Sequence, residues 1–325
     1  METVMPALDM PLAELKTYQG RNPRPTDFDE FWDKSLNEMK SIDPKIELVP
    51  ARFKAPGAEC FDLYFTGTGG CRIHAKYLKP ANHPGPHPGI VFFHGYSGSS
   101  GDWQDKLSYV LAGFSVLALD CRGQAGFSED KVSVKGNTLN GHIIRGLQED
   151  SPEKLYFRNV FLDTAQSAGI LMNMREVDPK RVVAMGGSQG GGLTLACAAL
   201  EPRIARAVSA FPFLCDYRRV WDMDLDKNAY KELRDYFRHF DPRHEKEEAI
   251  FTRLGYIDVQ FLAPRIKGEI RMAVGLLDEI CPPSSQFAAY NKISSPKDLI
   301  IYPDFGHEGL PGLNDIAIQW FCELL

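Results

Sequence analysis

Short apolar runs separated by helix-like stretches dominate the chain from Gly89 onward. The runs are GIVFFHG, FSVLALD, RVVAMGG, ARAVSAF, IRMAVGL and LIIYP. They lack the alternation of apolar and polar residues that marks a sheet with one solvated face. Strands of a parallel sheet covered by helices on both faces have this character. The pattern therefore predicts an α/β fold with a mostly parallel central sheet flanked by helices.

The segment before the first of these runs has a different pattern. Thr26 precedes the sequence DFDEFWDKSLNEMK, whose acidic first turn predicts a helix capped by Thr26. Two strand-like runs, Cys60–Phe65 and Cys71–Leu78, are joined by the glycine-rich Gly67–Gly70 and predict a hairpin. Residues from about 1 to 40 are expected to form an N-terminal extension.

A segment without strand-like runs covers residues 216–263. Tyr230–Phe240 and Arg243–Leu254 within it combine helical spacing with many charges. We predict a helical insertion over the carboxyl edge of the sheet, where open α/β sheets place their ligands. A length of 325 residues is ordinary for one large α/β domain, so residues 1–325 are predicted to form a single domain.

Charge and cysteine usage narrow the classes of partner. The 325 residues carry a net charge of −6 with no basic run, which argues against a nucleic-acid partner. No apolar stretch approaches the ~18 residues needed to span a membrane. The seven cysteines are scattered and form no CxxC pair, so reduced thiols and a cytoplasmic location are predicted.

The strongest motif is a G-x-S-x-G sequence centred on Ser188. It follows the apolar run Arg181–Met185 and precedes a helix-like stretch, Gln189–Leu200. A serine in such a strand-to-helix turn is the nucleophile elbow of the α/β-hydrolase fold. A phosphate-binding P-loop would need lysine where Gly192 stands, and no acidic ribose partner of a dinucleotide fingerprint is evident.

A serine nucleophile needs a base, and the base needs a carboxylate that orients it. In this fold the chain order is serine, acid, histidine, each in a loop after a strand. His307 follows the run LIIYP, and Asp278 follows the run that ends at Leu277. We therefore predict a triad of Ser188, Asp278 and His307, with Asp304 on the histidine loop as the weaker alternative acid.

The oxyanion hole is expected to use two backbone N–H groups. One belongs to Gln189, directly after the nucleophile, and Tyr96 in the loop after an early strand is our choice for the second. His94 on that loop is expected to support it by hydrogen bonding, since no paired spacing indicates a metal site. The predicted reaction runs through an acyl-enzyme and requires no cofactor.

Three motifs in order resemble the acetyl xylan esterase and cephalosporin C deacetylase family, carbohydrate esterase family 7. They are Arg122-Gly123-Gln124, GGSQGG from Gly186 and His307-Glu308, and the segments DEICPPS and DFDEFW also resemble this family. The similarity extends over essentially the whole chain. No chemical role for Arg122 and Gln124 follows from the sequence, so we predict that the motif supports the loop near the active site.

The resemblance implies removal of acetyl groups from acetylated xylose, short xylo-oligosaccharides and cephalosporin C. It also implies a cytoplasmic homohexamer, a trimer of dimers whose active sites face an internal cavity. Two other readings stay open from the residues alone. A broader carboxylesterase or a peptidase would use the same triad, and a catalytically silent binding protein would share the fold.

Overall fold

Nine strands form one sheet in a computed structural model that describes residues 8–83, 85–136 and 141–325. The strands are β1 Glu47–Pro50, β2 Ala58–Thr66, β3 Arg72–Pro80, β4 His87–Phe93, β5 Ser115–Leu119, β6 Val177–Gly187, β7 Arg206–Ala210, β8 Glu269–Gly275 and β9 Lys297–Tyr302. Their order across the sheet is β1-β2-β3-β5-β4-β6-β7-β8-β9. The six apolar runs and the predicted hairpin are thus confirmed as strands.

Strand direction divides the sheet into two parts. β1, β2, β3 and β5 pair antiparallel, whereas every pair from β5 through β4 to β9 is parallel. The mostly parallel sheet is therefore confirmed. Because parallel strands end at one edge, the loops after β4, β6, β7, β8 and β9 all start from the same edge of the sheet.

Eleven α-helices accompany the sheet in the described ranges. They are α1 Leu12–Leu15, α2 Phe28–Ser41, α3 Leu107–Leu111, α4 Tyr156–Met172, α5 Gln189–Leu200, α6 Tyr217–Asp222, α7 Lys231–Phe240, α8 Glu247–Leu254, α9 Val259–Leu262, α10 Pro283–Lys292 and α11 Leu313–Cys322. The helix predicted after Ser188 coincides with α5. No helix in these ranges is long and apolar enough to cross a membrane.

The predicted cap of helix α2 was wrong. Asp27, not Thr26, is the residue at its N-cap, and no side chain caps the helix there. Asp27 has φ −97° and ψ 15°, outside the extended conformation that lets a capping side chain reach back to the first turn. Burial of Phe28, Phe31 and Trp32 anchors this end of the helix instead.

Both faces of the parallel sheet are buried against helices. Successive residues of one strand enter different hydrophobic clusters, as Ile90 and Val91 of β4 do. The cluster around Val91 contains residues of α2, α4 and α5, and the cluster around Ile90 contains residues of α3 and α11. This two-sided burial explains why the strands have continuous apolar sequences.

The insertion between β7 and β8 is helical, as predicted. It contains α6 to α9, and its first residue, Asp216, binds the N-terminal extension. The Asp216 carboxylate accepts hydrogen bonds from the Tyr18 hydroxyl at 2.7 Å and from the Asn22 backbone N–H at 2.8 Å. The extension thus packs on the insertion, although residues 1–7 of that predicted segment lie outside the described residues.

Candidate active site

Ser188 occupies a sharp turn between β6 and α5. Its backbone has φ 58° and ψ −122°, a left-handed conformation that an ordinary residue adopts only under strain. A Cβ at Gly186 would lie 2.4 Å from the Gly190 carbonyl oxygen, and a Cβ at Gly190 would lie 2.1 Å from the Phe93 carbonyl oxygen. The two glycines of the motif are therefore required by close backbone contacts.

The three residues of the predicted triad lie together at the carboxyl edge of the sheet. The distance from His307 Nε2 to Ser188 Oγ is 2.9 Å, and that from His307 Nδ1 to Asp278 Oδ2 is 2.8 Å. Ser188 follows β6, Asp278 follows β8 and His307 follows β9. A continuous hydrogen-bond chain therefore runs from a buried carboxylate through an imidazole to a hydroxyl.

Backbone amides hold the Asp278 carboxylate in place. Its Oδ1 accepts hydrogen bonds from the N–H groups of Ile280 at 2.9 Å and Cys281 at 2.8 Å, which leaves Oδ2 directed at His307. Asp278 is fully buried, whereas Asp304 is exposed and makes no side-chain hydrogen bond or ion pair to the rest of the described chain. The geometry therefore favours Asp278 over Asp304 as the orienting acid.

The loop after β4 lies against the start of α5. The Gln189 side-chain amide reaches the carbonyl oxygens of His94 and Gly95, each at 3.4 Å. Within the three described ranges, neither the backbone N–H of Tyr96 nor that of Gln189 donates a hydrogen bond to the protein. Both predicted oxyanion donors are therefore available to an external acceptor.

His94 braces this loop from inside. Its Nδ1 donates to the Gly95 carbonyl oxygen at 2.8 Å, and its Nε2 accepts the Cys121 backbone N–H at 3.0 Å. Burial lowers the pKa of His94, which keeps the ring neutral and able to make both contacts. The supporting role expected for His94 fits these contacts.

Comparison with known proteins decides the family. The sequence profile described as Acetyl xylan esterase (AXE1) matches residues 5–324. The chain belongs to the acetyl xylan esterase family. Members of this family hydrolyse carboxylic esters, so the protein is a carboxylic ester hydrolase with an α/β-hydrolase fold.

Solved and curated relatives agree with the family. An acetyl xylan esterase from a Thermoanaerobacterium species is 62% identical, with a TM-score of 0.96 over 98% of this chain and 99% of that one. One from a Paenibacillus species is 35% identical, with a TM-score of 0.92 over 97% of this chain and 100% of that one. Acetyl esterase Axe7A of Xylanibacter ruminicola is 26% identical over 94% of this chain and 68% of its own length.

Arg122, at the start of the Arg-Gly-Gln motif, forms a buried ion pair. Its guanidinium bonds both carboxylate oxygens of Asp163 on α4, each at 2.6 Å, and the Thr68 carbonyl oxygen at 3.1 Å. Both members of the pair are at most 1% exposed. Arg122 thereby joins the loop after β5 to α4 and to the hairpin turn.

Gln124 connects the same motif to the nucleophile helix. Its side-chain amide donates to Gln189 Oε1 at 2.9 Å and to the Tyr156 hydroxyl at 3.0 Å. Gln189 donates back to Gln124 Oε1 at 3.1 Å. Gly123, between Arg122 and Gln124 in the motif, has φ +64°, a backbone conformation that favours glycine. These contacts involve no reacting atom and are consistent with a supporting role.

Asp278, Cys281 and His307 are the one group of potential metal ligands whose atoms lie within 4.8 Å of one another in the described ranges. His307 already bonds Asp278 through Nδ1 and Ser188 through Nε2. Burial raises the pKa of the Cys281 thiol well above its usual value, whereas metal binding needs the thiolate. The arrangement therefore suits proton transfer better than metal ligation.

Sequence reasoning missed Glu232 on α7, in the helical insertion between β7 and β8. Its carboxylate accepts hydrogen bonds from the Tyr96 hydroxyl and, at 3.0 Å, from the Ile144 backbone N–H. His142, beside it, lies 4.8 Å from the Tyr96 ring between centroids, and burial lowers its pKa to about 4. In the sequence, Glu232 is one charge among many on an amphipathic helix, so nothing distinguished it from a solvated residue.

Proposed function

We propose that the protein removes acetyl groups from acetylated xylose and xylo-oligosaccharides, with Ser188 as the nucleophile. The hydrogen-bond chain from Asp278 through His307 to Ser188, in a chain of this family, is the observation that carries the proposal. A hydroxyl in such a chain can lose its proton to the imidazole as it attacks a carbonyl carbon.

Each step can be assigned to a group of this chain. His307 Nε2 accepts the proton of Ser188 as Oγ bonds the ester carbonyl carbon. The negative charge on the carbonyl oxygen is stabilised by the N–H groups of Tyr96 and Gln189, each contributing about 2.7–4 kcal/mol. His307 then returns the proton to the departing alcohol oxygen, which leaves an acetyl-Ser188 ester.

Water completes the reaction at the same residues. His307 accepts a proton from water as its oxygen attacks the acetyl carbon, and the bond to Ser188 Oγ breaks. The proton passes to Oγ and acetate leaves. Asp278 takes no part in the proton transfers; it orients His307 and stabilises the imidazolium formed in both steps.

A cavity beside His307 offers room for the alcohol part of the substrate. It measures about 330 Å³ and is lined by Lys227, Asn228, Leu277, Glu279 and Ile280. The side chains of Lys227, Asn228 and Glu279 make no hydrogen bond within the described part of the chain, so they can bond sugar hydroxyls. A larger cavity of about 470 Å³ beside α3 and α11 contains no triad residue, so we assign the substrate to the smaller one.

Acyl-chain preference tests the substrate class. We expect kcat/KM for 4-nitrophenyl esters to fall at least about tenfold from acetate to butyrate, and to fall further from butyrate to octanoate. The reason is that each methylene group that the acyl site cannot accommodate costs about 1–3 kcal/mol of transition-state binding. Initial rates on the three esters, followed by acetylated xylo-oligosaccharides and cephalosporin C, measure this. A preference for octanoate or for amides would favour a broader carboxylesterase or a peptidase. Absent turnover would favour a binding protein.

We also propose the homohexamer that the resemblance implies. β1 pairs with a neighbour on one side only, and Ile46, Leu48 and Val49 on this edge are 44%, 41% and 39% exposed. An exposed apolar edge strand is a typical contact surface. Light scattering after size exclusion is expected to give six times the chain mass, and a monomer mass would contradict the assembly.

A further inference from the structure

Glu232 binds two separate loops beside the proposed oxyanion hole. One carboxylate oxygen accepts the Tyr96 hydroxyl, and the other accepts the Ile144 N–H at 3.0 Å. The Tyr96 hydroxyl in turn accepts the His142 N–H at 3.0 Å. One carboxylate of the insertion therefore fixes the loop after β4 and the segment 142–144 to each other.

A contribution to fold stability alone does not explain why the Glu232 carboxylate is buried. Glu232 is 4% exposed, and burial raises its pKa to about 7 despite the hydrogen bonds it accepts. No cation forms an ion pair with it among the described residues. A buried carboxylate without a cation is costly, and such groups occur preferentially at functional sites.

The backbone beside Tyr96 adopts a conformation that needs support. Ser97 has φ +57°, and its hydroxyl bonds His142 Nε2 at 3.0 Å. A Cβ at Gly141 would lie 2.2 Å from a Glu232 carboxylate oxygen, so the segment approaches Glu232 as closely as glycine allows. The direction of the Tyr96 N–H depends on the conformation of this backbone. Glu232 and His142, which lie outside the loop, hold that conformation through their contacts with Tyr96 and Ser97.

We infer that Glu232 is a positioning residue for the oxyanion hole, acting through the Tyr96 hydroxyl. The inference rests on the proposed function, in which the Tyr96 N–H binds the oxyanion. It gives the helical insertion a role: α7 fixes the geometry of a loop that belongs to the sheet edge. Loss of the contact misdirects one oxyanion donor, which lowers kcat more than it changes KM, because the donor acts mainly in the transition state.

A double-mutant cycle with Glu232→Ala and Tyr96→Phe tests this coupling. Each single variant is expected to lower kcat for 4-nitrophenyl acetate at least about tenfold, with KM changed less than about threefold. The double variant is expected to be no slower than the slower single variant, because both remove the same contact. Glu232→Gln, which keeps one acceptor oxygen, is expected to recover part of the lost kcat.

Asp258→Asn is the matched control. Asp258 also lies in the insertion, is fully buried with a pKa raised by burial to about 7, and bonds the backbone N–H of Asp216 at 3.0 Å rather than the Tyr96 loop. Its kcat is expected to stay near that of the wild type. An equal loss in Asp258→Asn would show a general effect of the insertion and overturn the inference.

Two further outcomes would overturn it. One is a Tyr96→Phe variant with wild-type kcat, which is decisive even if Glu232→Ala does not fold, because it removes a single hydroxyl. The other is a double variant whose loss equals the product of the two single losses. If either result is found while the Ser188→Ala variant is inactive, the inference about Glu232 fails but the proposed function stands. An active Ser188→Ala variant would instead refute the proposed function itself.

Discussion

Replacing Ser188 with alanine is expected to lower kcat for acetyl-ester hydrolysis roughly 10,000- to 1,000,000-fold, as in other serine hydrolases that lose their nucleophile. His307 Nε2 lies 2.9 Å from Ser188 Oγ and would have no hydroxyl to activate. Initial rates on 4-nitrophenyl acetate, together with labelling by a fluorophosphonate and intact-mass analysis, measure the effect. The wild type should gain one label, and the variant none.

Ser167→Ala provides the control for this substitution. Ser167 is also buried, but its hydroxyl bonds the Thr164 carbonyl oxygen at 2.8 Å on α4 and does not contact His307. Its activity and labelling should match those of the wild type. If Ser188→Ala retained more than a tenth of the wild-type rate, another nucleophile would have to be sought.

Asp278→Asn is expected to lower kcat about 10,000-fold, by changing the tautomer of the histidine. The carbonyl oxygen of the new amide would keep the N–H bonds of Ile280 and Cys281, so its NH₂ group would face His307 Nδ1. Nδ1 would then accept a hydrogen bond, and Nε2 would carry the proton. In that tautomer Nε2 cannot accept the proton of Ser188.

The comparison variant for the acid is Asp304→Asn. Asp304 is exposed, lies three residues before His307, and is expected to keep nearly full activity when neutralised. The kcat of both variants and their melting temperatures separate a catalytic loss from unfolding. A large loss in Asp304→Asn with near-normal turnover in Asp278→Asn would reverse the assignment of the acid.

The positions of the three proposed triad residues could be predicted because strand topology determines their order. Ser188, Asp278 and His307 each follow the carboxyl end of a parallel strand, and those ends share one edge of the sheet. Continuous apolar runs marked the strands, and the motif around Ser188 marked the elbow. Local sequence patterns were therefore enough to predict where these three residues lie, because each position is set by the end of the strand that precedes it.

Contacts between distant segments could not be predicted in this way. Glu232 and Tyr96 are 136 positions apart, and Arg122 and Asp163 are 41 apart. Asp163 lies on α4, a helix buried almost all round, where no periodic polar face draws attention to one carboxylate. Thr26 had the residue type of a helix cap, but tertiary packing of the aromatic residues in α2 decided where that helix begins.

The ion pair between Arg122 and Asp163 also limits which substitutions this chain can tolerate in its core. A change at either position alone would leave a full charge in the core without its partner, whereas a joint replacement by apolar residues of similar volume would not. Removal of one charge alone is therefore expected to destabilise the fold by about 3–5 kcal/mol. Arg122 belongs to a three-residue motif in the sequence, but its charge is balanced by a residue on α4 that lies outside that motif.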